Sequence, residues 1–302
     1  MGRSDDAGGH DAGHDAGAKP EAGASRDAGS CPAPPAGVDA QGTAAFQLIN
    51  QTRSAMGSAC ATMVATLNTS TAKHCAYFAA NFAMNPSFTA NMCIASPHYE
   101  VMGCTGFYGT DPAAREKAAG YSLANGGGGE DMDFLGNGAG AVQDWINSVY
   151  HRTDVLSPWT GDVGYGSAQA CDTLDFGTGH TGASTSLIAT YPYDGETGVP
   201  ISFDGGREEP TPAVPPSGWP SGYPITVYIQ GATLTTHELS VDGGAQVAHQ
   251  WLTPQADTNL KYANSAVLYA NAPLTHATRY LVHVAGTRGA SPVDVTFAFT
   301  TQ

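Results

Sequence analysis

Basic side chains are the first scarcity. The 302-residue chain holds 12 Lys and Arg against 27 Asp and Glu, a formal net charge of −15. A surface of that sign repels phosphate backbones and anionic headgroups, which argues against nucleic acid or acidic lipid as a partner. No apolar run approaches the ~20 residues that a membrane-spanning helix needs, so the chain is not expected to be transmembrane. There is no Cys-x-x-Cys pair, which removes zinc-ribbon and thioredoxin readings. Nor is there a Gly-x-Ser-x-Gly elbow or a His-Glu-x-x-His helix, so no serine nucleophile or one-helix zinc site is written locally. The opening Met1-Gly-Arg-Ser-Asp-Asp is polar, with no export signal visible. The expectation is that such a signal was trimmed or lost in start-site assignment.

What is present points outward from the cell. Six cysteines, Cys31, Cys60, Cys75, Cys93, Cys104 and Cys171, form an even set that suits disulfides in an oxidising compartment. Six allow 15 pairings, and Cys93–Cys104 is the preferred local bridge because it would staple a loop punctuated by Gly and Pro. Residues 1–39 repeat Asp-Ala-Gly at 6–8, 11–13, 15–17 and 27–29, with Glu-Ala-Gly at 21–23. Small and charged residues bury too little apolar surface to offset backbone ordering, so this stretch reads as a spacer suited to cell-envelope attachment. His10 and His14 belong to that solvated tail.

Residues 40–195 carry the helical patterns. A first helix includes Ala45, Phe46, Leu48, Ile49 and Met56 and closes near Gly57; a second runs from Ala72 to about Met84, capped by Ser70 or Thr71. Its core stripe is read as Ala72, Cys75, Ala76, Ala79 and Phe82, with His74, Tyr77, Phe78 and Asn81 on a neighbouring stripe facing a cleft. Asp111-Pro112 caps and opens a short helix that stops at Gly120. In Gly138–Trp159, Val142, Trp145, Ile146 and Val149 share one helix face, which leaves His151 where the helix opens into a loop. Strands are expected over 162–168 and 184–191, pairing across a glycine-rich connection. Residues 196–302 begin with a Pro-rich junction and continue as short alternating stretches, a β-sandwich in which His237, His249, His276 and His283 read as scattered sheet or surface residues.

An ordered series then becomes recognisable: Asn50-x-x-Arg53, His74 with Tyr77, His98, Arg115…Ala119-Gly120-Tyr121, Glu130, Trp145-x-x-Ser148, Tyr150-His151-Arg152 and Gly164-x-Gly166. It resembles the bacterial secreted branch of the CAP superfamily (cysteine-rich secretory proteins, antigen 5, pathogenesis-related proteins). The later Pro273-Leu274, Thr278-Arg-Tyr280 and Phe297-Ala-Phe-Thr resemble a bacterial Ig-like module. The resemblance implies an α+β chain, an α-β-α sandwich followed by an all-β Ig-like sandwich. It also implies a cleft lined by two histidines and two acids, matched here by His74, His151 and Glu130. Ser148 stands where the second acid is usual; Glu100 and His98 are further candidates for the cleft.

Two imidazoles and a carboxylate are a ligand set for Zn²⁺, with His74 and His151 as its nitrogen donors. Beside that stands a purely hydrogen-bonded polar cluster, and no cofactor is required. Ser148, His151 and Glu130 can also be written as a Ser-His-Glu arrangement, but no oxyanion donors accompany it. The function expected is a secreted or cell-surface, non-enzymatic binding protein whose cleft takes an extracellular lipid, glycan or peptide. The other class is a secreted peptidase-like hydrolase, with or without metal assistance.

Overall fold

The computed structural model describes residues 31–302 apart from 83–92, 95, 135–136, 170, 180–186 and 261–264. The Asp-Ala-Gly repeats with His10 and His14, Met84 and the start of the strand expected at Ser184 lie outside them. The first part runs α1 (Ala40–Ala55), β1 (Thr62–Met63), α2 (Ala65–Asn81), α3 (Pro112–Ala118), β2 (Gly129–Asp133), α4 (Ala139–Ile146), α5 (Tyr150–Val155), β3 (Asp162–Ala168) and β4 (Cys171–Gly177). The second is strands with one 3₁₀ turn at Gly205–Arg207: β5 (Ile188–Tyr191), β6 (Glu196–Val199), β7 (Ile225–Ile229), β8 (Ala232–Val241), β9 (His249–Leu252), β10 (Ser265–Ala270), β11 (Arg279–Arg288) and β12 (Ser291–Thr301). The chain is therefore mixed α and β, with the helices gathered early.

Helix ends follow local chemistry where a cap is present. Asp39 accepts from the Gly42 N–H at the start of α1, and Gly57 (φ +72°) ends its last turn in a left-handed conformation. Asp111 accepts from the Ala114 N–H, and Pro112 opens α3 as the spacing predicts. Helix α2, by contrast, begins at Ala65, seven residues before the expected start, without a side-chain cap. Its start is set by tertiary pairing: β1, directly before it, lies parallel to β3 with Met63 opposite Val163. The stripe assignment is also rotated. Ala72 and Ala76 are exposed, while His74, Tyr77 and Phe78 are buried with Cys75. Aromatic rings have more apolar area to remove from water than alanine methyls, so they take the inner face.

The first sheet has the order β1-β3-β4-β2. Gly164 and Gly166 let α2 lie directly on β3, because a Cβ at either would sit 2.3 Å from the helix backbone. Phe46, Ile49, Trp145 and Ile146 of α1 and α4 share one core with Val163, Leu174 and Phe176. Strand β4 pairs with β3 along its whole length and is buried at every position. It, and not the stretch at 184–191, is the partner of 162–168; its two aspartates disguise it as a turn. Disulfides join Cys31–Cys60, Cys75–Cys171 and Cys93–Cys104, the last as preferred from spacing. Cys31–Cys60 thus fastens the end of the compositional spacer to the first part.

The second part holds two four-stranded sheets, β5-β7-β10-β9 and β6-β12-β11-β8. Strands β7 and β10 are buried at every position. One face of their sheet, with Ile225, Val227 and Leu268, joins the core that includes Val282 and Phe297. The other, with Val267 and Tyr269, packs on Val149 and Tyr150 of the first part. Arg152, fully buried, lies over the rings of Tyr191 and Tyr223 at 4.8 and 4.6 Å and donates to the Pro224 carbonyl. The two parts are therefore packed into one another rather than joined by a bare linker.

Candidate functional site

The sequence candidates divide into two hydrogen-bonded clusters. The first is built by α2, the loop after it, α3 and β2. His74 is fully buried; its Nδ1 is hydrogen-bonded to Glu100 Oε1 at 2.8 Å and its Nε2 donates to the Pro97 carbonyl at 2.9 Å. The Pro97 carbonyl can only accept, which places a proton on Nε2, while Nδ1 is taken up by the Glu100 carboxyl group. Glu100 Oε2 accepts from the Tyr108 and Gly109 N–H groups at 2.6 and 3.2 Å, which leaves it no free role. Glu130 Oε1 accepts from His98 Nδ1 at 2.9 Å and lies 3.8 Å from His74 Nε2, while its Oε2 accepts from Arg115 at 2.5 Å. Arg115 also donates to the His98 carbonyl at 3.0 Å. His74 and Arg115 thus face Glu100 and Glu130 inside the protein, at hydrogen-bond or ion-pair distance.

Local structure explains why this cluster forms. The Cys93–Cys104 bridge and the Tyr77 hydroxyl, which donates to the Cys93 carbonyl and accepts from the Val101 N–H at 2.9 Å, pin the loop over α2. Glu130 is held beside Asp175 by direct pairing of β2 and β4. Burial alone would raise the Glu130 carboxyl, but the His98 hydrogen bond and the neighbouring His74 and Arg115 hold it below the usual range. Asp175 moves the other way, raised well above the usual range by burial and then by Glu130. Burial also pushes Glu116 up to about 7, although the Gly128 N–H hydrogen bond opposes it.

The second cluster contains His151 and Ser148. The expected single helix is interrupted at 147–149, so His151 sits inside the separate helix α5. The break is stabilised from a distance: Glu208 accepts from the Val149 and Tyr150 N–H groups at 2.8 and 2.6 Å. Glu208 also accepts from His151 Nδ1 at 3.2 Å, and Ser148 Oγ lies 3.5 Å from that same nitrogen while donating to the Trp145 carbonyl at 2.7 Å. Serine and acid on one nitrogen cannot relay a proton across the ring, so this is no Ser-His-Glu triad. Nothing in the sequence signals Glu208, which lies 57 positions from His151 inside a Pro-rich stretch.

His74 and Glu130 are therefore together, with Glu100 and His98 added. Helix α5 packs beside β2, yet no hydrogen bond or ion pair among the described residues joins His151 to His74 or Glu130. No group of three or more His, Cys, Asp or Glu with metal-holding geometry occurs among the described residues. A zinc ion at His74 would have to displace Glu100 or the Pro97 carbonyl and remove a proton. His98 differs: its side chain is 36% exposed, and no hydrogen bond among the described residues occupies its Nε2. No protein-family model matches the chain, and no curated protein matches it.

Proposed function

We propose that this is an extracellular or cell-surface protein of CAP type with an Ig-like second part, which binds its ligand without transforming it. Helices on both faces of the first sheet and three disulfides support the fold and compartment. The observation that carries the binding reading is the saturation of His74: both ring nitrogens are taken up by hydrogen bonds, to Glu100 and to the Pro97 carbonyl, and no hydroxyl or thiol bonds to it among the described residues. The cluster frames the loop from Ser96 to Gly109. That loop presents His98 beside Tyr99 and Met102, which are 53% and 76% exposed. An oriented imidazole on one loop with two exposed large side chains suits a ligand with both an apolar body and a polar end, as in a lipid or an amphipathic peptide.

The second reading is a hydrolase, favoured by His98 alone: Glu130 orients its Nδ1, and its Nε2, unpartnered among the described residues, is free to act as a base. Probing lipid-vesicle, peptide and glycan panels with the wild type and with a Tyr99→Ser, Met102→Ser double variant separates the two. Binding without turnover that is lost in the double variant supports the binding protein. Turnover of ester or peptide substrates that disappears in a folded His98→Ala variant would replace it with the hydrolase.

A further inference from the structure

The second part contains a histidine pair outside both clusters. Strand β8 ends one sheet and β9 ends the other. The chain reverses between them, with the Val247 N–H donating to the Leu239 carbonyl at 2.7 Å and the Val241 N–H donating to the Ala245 carbonyl at 3.1 Å. His237 and His249, 12 positions apart, meet there with Nδ1 of the first 2.9 Å from Nε2 of the second. We propose that His237 and His249 form a two-nitrogen chelating site for a divalent transition-metal ion, Cu²⁺ ahead of Zn²⁺, at the edge where the two sheets part.

Three observations converge on this site. The spacing comes first. Two nitrogens bound ~2.0–2.1 Å from one ion lie ~2.9 Å apart at a right angle but ~3.3–3.4 Å apart at a tetrahedral one. The observed 2.9 Å is the N–H···N bond of the metal-free pair and lies within a few tenths of an ångström of both values, so one ion can be reached by a small swing; the preference for Cu²⁺ rests on the higher affinity of nitrogen sites for it. Second, His249 Nδ1 donates to the Val247 carbonyl at 2.8 Å, which fixes the tautomer that leaves Nε2 with its lone pair. A backbone carbonyl in that position is how proteins orient ligating histidines. Third, the His237 ring lies parallel to Trp251, 4.6 Å between centroids and 10° between planes. The stack limits the ring to in-plane swing, the motion needed to turn Nδ1 from its neighbour toward a shared ion.

The proton balance closes without a co-reactant. In the metal-free pair the one proton between the rings belongs to His237 Nδ1, because His249 spends its own on Val247. Binding transfers that proton through solvent to His237 Nε2, where no hydrogen bond among the described residues stands in the way. Both rings stay neutral, two metal–nitrogen bonds form, and water completes the coordination. The ion then ties β8 to β9. His283, held between Glu238 and Asp294 on exposed carboxylates, has no second imidazole and is the natural control.

The test uses the full chain carrying His10→Ala and His14→Ala, so that tail histidines do not compete. Cu²⁺ is titrated while tryptophan fluorescence and the electron paramagnetic resonance spectrum are followed. One equivalent should give a spectrum with two nitrogen donors and quench Trp251. His237→Gln and His249→Gln should each weaken binding by about 100-fold, as loss of one of two linked donors does. His283→Gln should leave it unchanged, and circular dichroism of each variant checks that the sheets persist. A His237→Gln or His249→Gln chain that binds as tightly as its parent overturns the site, as does a parent spectrum without two nitrogens. Zn²⁺ binding as tightly as Cu²⁺ would overturn the assigned preference for Cu²⁺.

Discussion

The His74 and His151 clusters use the same groups to opposite ends. Around His74, an imidazole, a guanidinium and two carboxyl groups satisfy one another within 56 positions of sequence, and the imidazole is wholly out of solvent. Around His151 the carboxylate arrives from the Pro-rich stretch between β6 and β7, serves two backbone N–H groups first, and leaves the ring 20% exposed. The comparison teaches that a histidine next to a glutamate has no fixed meaning. What decides is which nitrogens are spent and whether the acceptor can do anything else. One cluster holds a loop; the other holds two parts of the chain together.

The largest effect should come from unbalancing the first cluster. Arg115→Met leaves Glu130 buried without its cation and should cost about 3–5 kcal/mol in urea unfolding. A cost near zero would mean that Glu130 is solvated or protonated and that the cluster is not paired as described. Next comes pH. Glu116, raised to about 7, binds its proton more tightly when folded than when unfolded. Its contribution is therefore complete below the ordinary carboxylate range and is lost as pH rises through about 7. Asp175 acts in the same direction, whereas the lowered Glu130 contributes above that range and fails in acid. Wild type should thus lose roughly 2 kcal/mol relative to Glu116→Gln between about pH 5 and pH 8. Parallel stability curves would remove Glu116 from the buried set.

Effects at the junction should be smaller. Glu208→Gln keeps the size of the acceptor but removes its charge, and should cost about 1–2 kcal/mol, with faster amide exchange at Val149 and Tyr150. Unchanged exchange there would show that the helix break needs no capping from outside. The smallest stability effect belongs to His98→Ala, within about 1 kcal/mol of wild type because the ring is partly solvated. That same change should abolish ligand capture.

Legibility in the sequence tracks the range of the forces involved. Helix α3 is fully readable because Asp111, Pro112 and Gly120 are local signals, and the Cys93–Cys104 bridge spans only 11 positions. Glu100 and His98 were within reach as loop residues near Glu130. The start of α2 and the break before α5 were not, since each is set by a partner 58 to 100 positions away; β4 pairs with its sequence neighbour β3, and there the two buried aspartates hid the strand. His237 and His249 read as scattered for a related reason: they share an edge only once the two sheets are assembled. The resemblance to CAP proteins put His74 near Glu130, but the occupation of both its ring nitrogens follows from two loop partners, one of which is a backbone carbonyl.

The central claim is that Glu100 and His74 hold the loop as a closed frame, and amide hydrogen exchange at Tyr108 and Gly109 tests it most directly. Both N–H groups donate to Glu100 Oε2, whose partner oxygen is held by His74. Wild type should exchange them as slowly as the middle of α2, and His74→Ala should release both while α1 stays protected. Rapid exchange of Tyr108 and Gly109 in the wild type would contradict the account.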